Sequence, residues 1–133
     1  MAVIDQLVTD RYAIYCGDSY EVLKNMPESS IDMVLFSPPF ADLYCYSDNP
    51  ADLSNCRSYD EFFSQFGFIV GELLRVIKPG RLCLVHCMDL PSTISYDGHV
   101  GIKDFTGDLI RSFVSRGWYY HSRHCIWKYP LIA

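Results

Sequence analysis

The chain has 133 residues, half of them hydrophobic and 15% aromatic, which suits one domain with a buried core and excludes a disordered or low-complexity segment. No apolar run approaches the roughly 18–20 residues needed to cross a bilayer, and MAVIDQLVTDRY, with Asp5 among its apolar residues and no basic leader, does not read as a signal peptide. These features predict a cytoplasmic protein without membrane attachment.

In chain order, YAIYC (12–16) reads as a short strand ending at Gly17-Asp18, and SYEVLKNM (19–26) as a two-turn helix capped by Asp18 or Ser19. Pro27-Glu28-Ser29-Ser30 is a turn. IDMVLF (31–36) is a continuous apolar strand, the pattern of a parallel sheet covered on both faces. Residues 37–57 form a loop of about twenty, well beyond the usual four to six, so the loop itself is a functional candidate. Ser58-Tyr59-Asp60-Glu61 is a capping box. Behind it Phe62, Phe66, Ile69, Val70, Leu73, Leu74 and Ile77 recur at helical spacing, with Lys78 in the last turn and Pro79-Gly80 as the stop. RLCLVHC (81–87) is the next strand, completing a βαβ unit. A second loop covers 88–103. Asp104 then caps a helix carrying Phe105, Leu109, Ile110 and Phe113, which ends at Gly117, and WYYHSRHCIW (118–127) reads as a last strand. The predicted fold class is α/β with a mostly parallel sheet.

Six cysteines (16, 45, 56, 83, 87, 125) are scattered along the chain. On a strand, Cys83 and Cys87 share a face but stand about 13 Å apart at ~3.3 Å per residue, too far for one zinc at ~2.3 Å from each sulfur. His121 and His124 differ in parity, so on a strand they point to opposite faces. No metal site is expected, and the cysteines read as reduced, mostly buried thiols. His86 reads as a satisfied core histidine. Charge is uneven: residues 1–72 hold twelve acids and three bases, whereas 73–133 hold four acids and eight bases. A nucleic-acid partner would meet the carboxy-terminal side first, although an ordinary solvated basic face gives the same pattern.

Ligands of parallel α/β sheets bind where strands deliver their carboxyl ends. Gly17-Asp18, Ser37 to Phe40 and the segment after Cys87 all occupy such positions. At Ser37-Pro38-Pro39-Phe40, proline fixes φ near −65° and carries no N–H. The Pro38 carbonyl is then an aimed acceptor, the Ser37 hydroxyl beside it either acceptor or donor, and Phe40 a flat ring close by. Two acceptors and a ring suit a planar group bearing an NH₂, such as the exocyclic amine of a nucleobase. That amine is a poor nucleophile because its lone pair is delocalised into the ring. Fixed acceptors favour the pyramidal form that can attack, and a methyl donor held in line adds the advantage of proximity.

The stretch GDSYEVLKNMPESSIDMVLFSPPF resembles the amino-terminal half of the amino-group DNA methyltransferases, which methylate adenine N6 or cytosine N4. Their hallmark is Asp, Asn or Ser, then Pro-Pro, then an aromatic. The resemblance continues through FIVGELLRVIKPGRLCLVH to IWKYP and so covers nearly all of the chain. It implies a partial Rossmann-like methyltransferase sheet, S-adenosyl-L-methionine as cofactor, double-stranded DNA as partner, and DNA methylation of the restriction-modification kind in a bacterial or phage-type cytoplasm. Carried over, Ser37 accepts a hydrogen bond from the target amine and borders the cofactor. Pro38 supplies the carbonyl acceptor, Pro39 stiffens the turn, and Phe40 stacks on a flipped-out base. Asp18 contacts the adenine end of the cofactor with Gly17 allowing close approach, although Asp18 also reads as a plain helix cap. Tyr44 and Tyr46 would close over the base, or anchor the loop on the surface. Lys128 would contact DNA, or snorkel at a strand end. Serine in first place favours cytosine N4 over adenine N6.

The family's glycine-rich Phe-x-Gly-x-Gly cofactor turn is missing: the glycines at 17, 67, 71, 80, 98, 101, 107 and 117 include no G-x-G. The target-reading region is missing as well. Residues 1–133 therefore read as the SPPF-containing catalytic half of a methyltransferase domain, favoured as a fragment of a full enzyme. The alternatives are one half of a split enzyme, or an inactive remnant binding nucleic acid or a partner. A protein-glutamine or ribosomal-RNA methyltransferase is the rival enzyme; its motif starts with Asn and follows a glycine turn absent here. With the intervening strands missing, IDMVLF is expected to show an open edge and the chain to be marginal or to self-associate.

Overall fold

A computed structural model describes residues 3–41, 47–48 and 52–127. The elements are β1 (Val3–Val8), β2 (Ala13–Gly17), α1 (Ser19–Lys24), β3 (Ile31–Phe36), a 3-10 turn (Leu53–Asn55), α2 (Tyr59–Val76), β4 (Ile77–Val85), β5 (Leu90–Ser92), α3 (Ile94–Asp97), β6 (Gly101–Lys103) and α4 (Phe105–Val114). Among the described residues the strands form three two-stranded sheets: β1 with β2 antiparallel, β3 with β4 parallel, and β5 with β6 antiparallel. The β3–α2–β4 unit is the expected parallel crossover, and the fold is a partial Rossmann-like α/β sheet.

Helix α2 forms where its cap and its periodicity agree. Ser58 Oγ accepts from Glu61 N at 3.1 Å, and the Glu61 carboxylate returns to Arg57 N at 2.6 Å, one residue outside the expected box. Phe62, Phe66, Val70, Leu73 and Val76 form its buried stripe. The helix ends at Val76 rather than at Lys78, because the residue before a proline avoids the α region and Ile77 is already extended. Between the pairs Ile31↔Ile77 and Met33↔Leu82, β4 has extra residues, so Lys78 to Arg81 bulge outward with Gly80 at φ 76°. Lys78 Nζ and Arg81 Nε meet Asp32 there at 2.7 and 3.4 Å.

The core sits between α2, α4 and one face of the β3–β4 pair. Phe62 stacks on Phe66 at 5.5 Å, Phe105 packs on Phe62 at 5.7 Å, and Phe36 reaches Phe66 at 6.3 Å. Asp104 caps α4 through Gly107 N at 2.9 Å, as expected. The Arg116 guanidinium crosses Gly67 so closely that a Cβ there would push this flexible side chain aside. Cys83 and Cys87 lie half-buried at β4 and its carboxyl end, and burial pushes the Cys83 thiol up to about 11.

Several expectations change. The amino-terminal segment, to which the sequence reading assigns no element, is a strand, and β2 pairs with it in a hairpin turned by Thr9 (Thr9 N to Tyr12 O, 2.8 Å). The loop expected at 88–103 holds β5, α3 and β6. Residues 118–127 are not a strand: Trp118 folds back, donating to Val70 O at 3.2 Å and packing on Phe113, and the residues beyond are exposed. A strand exists only by pairing, and none of the three sheets takes it as a neighbour. The apolar IDMVLF is covered on one face only. Met33, Leu35, Leu82 and Leu84 on the other are exposed.

Candidate active site

Strand β2 delivers Gly17 and Asp18 at its carboxyl end, and β3 delivers Ser37. Asp18 is the N-cap of α1: its Oδ1 accepts from Tyr20 N at 2.9 Å and from Glu21 N at 3.4 Å. The helix-cap reading is thus realised, with Oδ2 outside both bonds. Asp18 and Gly17 are exposed. Helix α1 is fixed at its other end by Arg75 of α2, whose guanidinium donates to Met26 O at 2.9 Å, Leu23 O at 2.8 Å and Lys24 O at 3.3 Å. These acceptors lie in and just beyond the carboxyl turn of α1, where a cation is also favoured by the helix dipole.

At the end of β3, Ser37 is exposed, Pro38 buried, and Pro39 and Phe40 half-buried. Ser37 Oγ donates to the His86 carbonyl at 2.9 Å and lies 3.5 Å from His86 Nδ1. Phe40 meets Phe105 edge-on at 6.5 Å, which ties the motif to the core. Ala41 follows at φ 48° and is only 1% exposed. A left-handed alanine costs about 1–2 kcal/mol, so the chain turns sharply after Phe40 at the expense of local strain, held by burial. No sequence signal marks this residue, since glycine or asparagine is the usual choice.

Tyr44, Tyr46 and Lys128 lie outside the described residues. The far end of the long loop is built on Asp52, which accepts from Ser54 N at 2.9 Å, Ser54 Oγ at 2.7 Å and Ser47 Oγ at 2.7 Å. Burial raises its pKa, but these donors outweigh burial and hold the carboxyl below its ordinary value.

Sequence reasoning misplaced His86, which is exposed at the carboxyl end of β4 beside Ser37 and is no core residue. It also passed over Asp89, which accepts from Thr106 N at 3.0 Å; the Thr106 hydrogen bonds hold its carboxyl below the usual range. The register explains the place of His86: in a parallel pair the residues after Phe36 and Val85 are neighbours. A shallow groove of about 530 Å³ between α2 and α4, lined by Tyr59, Asp108 and Arg111 among others, includes none of the predicted site residues. The strand-end geometry, not that groove, defines the candidate site.

No family model matches the chain. It is 29% identical over 78 residues to the Type II methyltransferase M.BamHI of Bacillus amyloliquefaciens, covering 59% of this chain and 18% of that protein. It is 32% identical over 80 residues to the Type II beta methyltransferase M.BslI of Bacillus sp. (strain NEB-606), covering 60% and 8%. The fold matches TTHA0409 of Thermus thermophilus, which is described as a DNA modification methylase. In its complex with S-adenosyl-L-methionine the TM-score is 0.59 at 24% identity, covering 76% of this chain and 37% of that one. The selenomethionine form gives 0.58 at 22%, covering 76% and 36%. Over about three-fifths of its length the chain is thus similar to DNA methyltransferases. The chain spans less than a fifth of the curated relatives it matches, and under two-fifths of the solved neighbour.

Proposed function

We propose that residues 1–133 are the base-gripping half of a DNA methyltransferase domain that transfers a methyl group from S-adenosyl-L-methionine to the exocyclic amine of a flipped base, cytosine N4 in preference to adenine N6. One observation carries this reading: the Ser37 hydroxyl spends its single proton on the His86 carbonyl, so its oxygen is an acceptor for an incoming N–H. Ser37 and the Pro38 carbonyl hold the amine, and Phe40, anchored at its edge by Phe105, flanks the base. Tyr44 and Tyr46 close over that base, and Lys128 contacts duplex DNA. The curated relatives, both Type II methyltransferases by name, and the solved neighbour's cofactor complex support the same chemistry.

The residues present suit part of the cofactor. Asp18 keeps Oδ2 outside its cap bonds, available to a donor at the adenine end, and Gly17 before it has no side chain to obstruct approach. When bound, the cofactor supplies an electrophilic methyl group. Its methionine end needs the glycine-rich turn, which these 133 residues lack. The working domain therefore pairs this half with a segment carrying that turn, in the same or a second polypeptide. Calorimetric titration should show weak, saturable binding of S-adenosyl-L-methionine that Asp18→Ala removes. Nucleoside analysis after methyl transfer by the completed domain should give N4-methylcytosine. N6-methyladenine would overturn the choice of base, methylation at a ring carbon would overturn the amine chemistry, and absence of any heat would overturn the cofactor assignment.

A further inference from the structure

His86 stands opposite Ser37, one step beyond the Phe36↔Val85 pair of the parallel ladder. Three of its groups face the β3 end. Its amide donates to Phe36 O at 2.9 Å, its carbonyl accepts the Ser37 hydroxyl at 2.9 Å, and its ring Nδ1 lies 3.5 Å from the same hydroxyl oxygen. Among the described residues, Ser37 Oγ is the only hydrogen-bond partner of that ring. A hydroxyl has one proton and two lone pairs. With the proton already on the His86 carbonyl, Nδ1 approaches the oxygen favourably only as an N–H donor. The tautomer is therefore set by the serine, as the partner of one ring nitrogen generally sets the other.

We propose that His86 is a positioning residue for Ser37. Its backbone carbonyl takes the hydroxyl proton, its ring donates from Nδ1 into one lone pair, and the second lone pair remains for an N–H of the ligand. This rests on the function proposed above and deepens it: the Ser37–His86 couple makes the site select a base that presents an amine over one that presents a carbonyl at the same position. A ring contact of 3.5 Å is long beside the 2.9 Å bond, and such contacts commonly tighten only in the bound complex. The backbone bond survives any substitution of the histidine, so the two contributions can be separated.

Two measurements on the 133-residue chain test this. The first is a long-range ¹⁵N–¹H correlation spectrum of histidine-labelled protein, with the His86 signals assigned by their loss in His86→Asn. The wild type should show the neutral Nδ1–H form. Ser37→Ala should move it towards Nε2–H, whereas Ser37→Thr, which keeps the hydroxyl, should not. An Nε2–H ring in the wild type, or a tautomer indifferent to Ser37→Ala in a variant whose circular dichroism is unchanged, overturns the proposal. The second is fluorescence anisotropy with single-stranded oligonucleotides carrying one cytosine or one uracil. Preference for cytosine should fall about fivefold in His86→Ala, the worth of roughly one net hydrogen bond, while affinity for oligonucleotides without either base stays the same. Binding that ignores the cytosine-to-uracil change in the wild type sinks the selectivity. Failure to bind any oligonucleotide, with the tautomer as expected, counts against the proposed function and leaves the Ser37–His86 couple standing.

Discussion

The bare face of the β3–β4 pair should make this chain associate with itself, and two substitutions should prevent it. Met33 and Leu35 pair with Leu82 and Leu84, so the four side chains form one patch, exposed by 61%, 67%, 53% and 41%. Full burial of such a side chain is worth about 1.5–3 kcal/mol, so half-exposed ones forgo about 1 kcal/mol each, some 4 kcal/mol per chain. Two chains meeting face to face recover about 8 kcal/mol. Against this stand the translational, rotational and side-chain ordering costs of association, at least about 4 kcal/mol. The balance of about 4 kcal/mol corresponds to dissociation constants on the order of a millimolar. Leu35→Lys with Leu84→Glu places opposite charges directly across the ladder, which keeps the register, and removes about half of the patch from each copy. Sedimentation equilibrium between about 50 µM and ~2 mM should show concentration-dependent association of the wild type and a monomer of the double variant. Because the face is solvent-exposed, the variant should lose no more than about 0.5 kcal/mol of stability. A wild type that stays monomeric throughout, or a double variant that unfolds, would refute the reasoning.

Arg75→Ala should destabilise the chain by about 2 kcal/mol in urea titration, since it strips the α1 carboxyl end of donors from a charged group. Arg75→Lys should recover only part, because a point donor cannot span three carbonyls. Phe62→Ala, at a fully buried ring between Phe66 and Phe105, should cost about 3–5 kcal/mol. Asp52 has a folded pKa below its ordinary 3.8, so its contribution is complete above the unfolded value and is lost as pH falls through the folded one. Asp52→Asn should therefore shrink the drop in denaturation midpoint between about pH 5 and about 3; an unchanged acid limb would contradict the role of Asp52 in anchoring the loop.

Local patterns carried much of this architecture. The α2 stripe, the Ser58 and Asp104 caps and the βαβ crossover could be read because periodicity, capping residues and the proline stop at 79 all act within a few residues of one another. Pairing could not be read in the same way. Whether β2 neighbours β1 or β3 depends on contacts across the chain, and the run IDMVLF looks identical whether one face or both are covered. The 118–127 stretch is strand-like in composition but has no partner edge, so propensity had nothing to act on. At the site, the four-residue motif and Asp18 were visible as sequence. The place of His86 was not, because a histidine flanked by Val85 and Cys87 reads as core until the strand is known to end at Val85. Ala41 gave no sign either, since alanine says nothing about a positive φ.

Among the described residues, the two halves of the candidate site are not connected through a sheet. Asp18 hangs from a strand whose one partner is β1, and Ser37 from a strand whose one partner is β4. What joins them is the packing of α1 on α2: Tyr20 meets Phe68 edge-on at 6.1 Å, and Arg75 clamps the α1 carboxyl turn. A ring edge and one guanidinium are a compliant hinge beside a hydrogen-bonded ladder, whose spacing is fixed near about 4.8 Å per strand. Ser37, by contrast, is tied to His86 directly across the β3–β4 ladder, so the Ser37 end is the rigid one. Strands laid between β2 and β3 would convert the hinge into a ladder and set the distance from Asp18 to Ser37. If the function proposed above holds, the open edges and the missing glycine-rich turn have one origin, and a segment closing the sheet would also fix where the methyl group meets the amine.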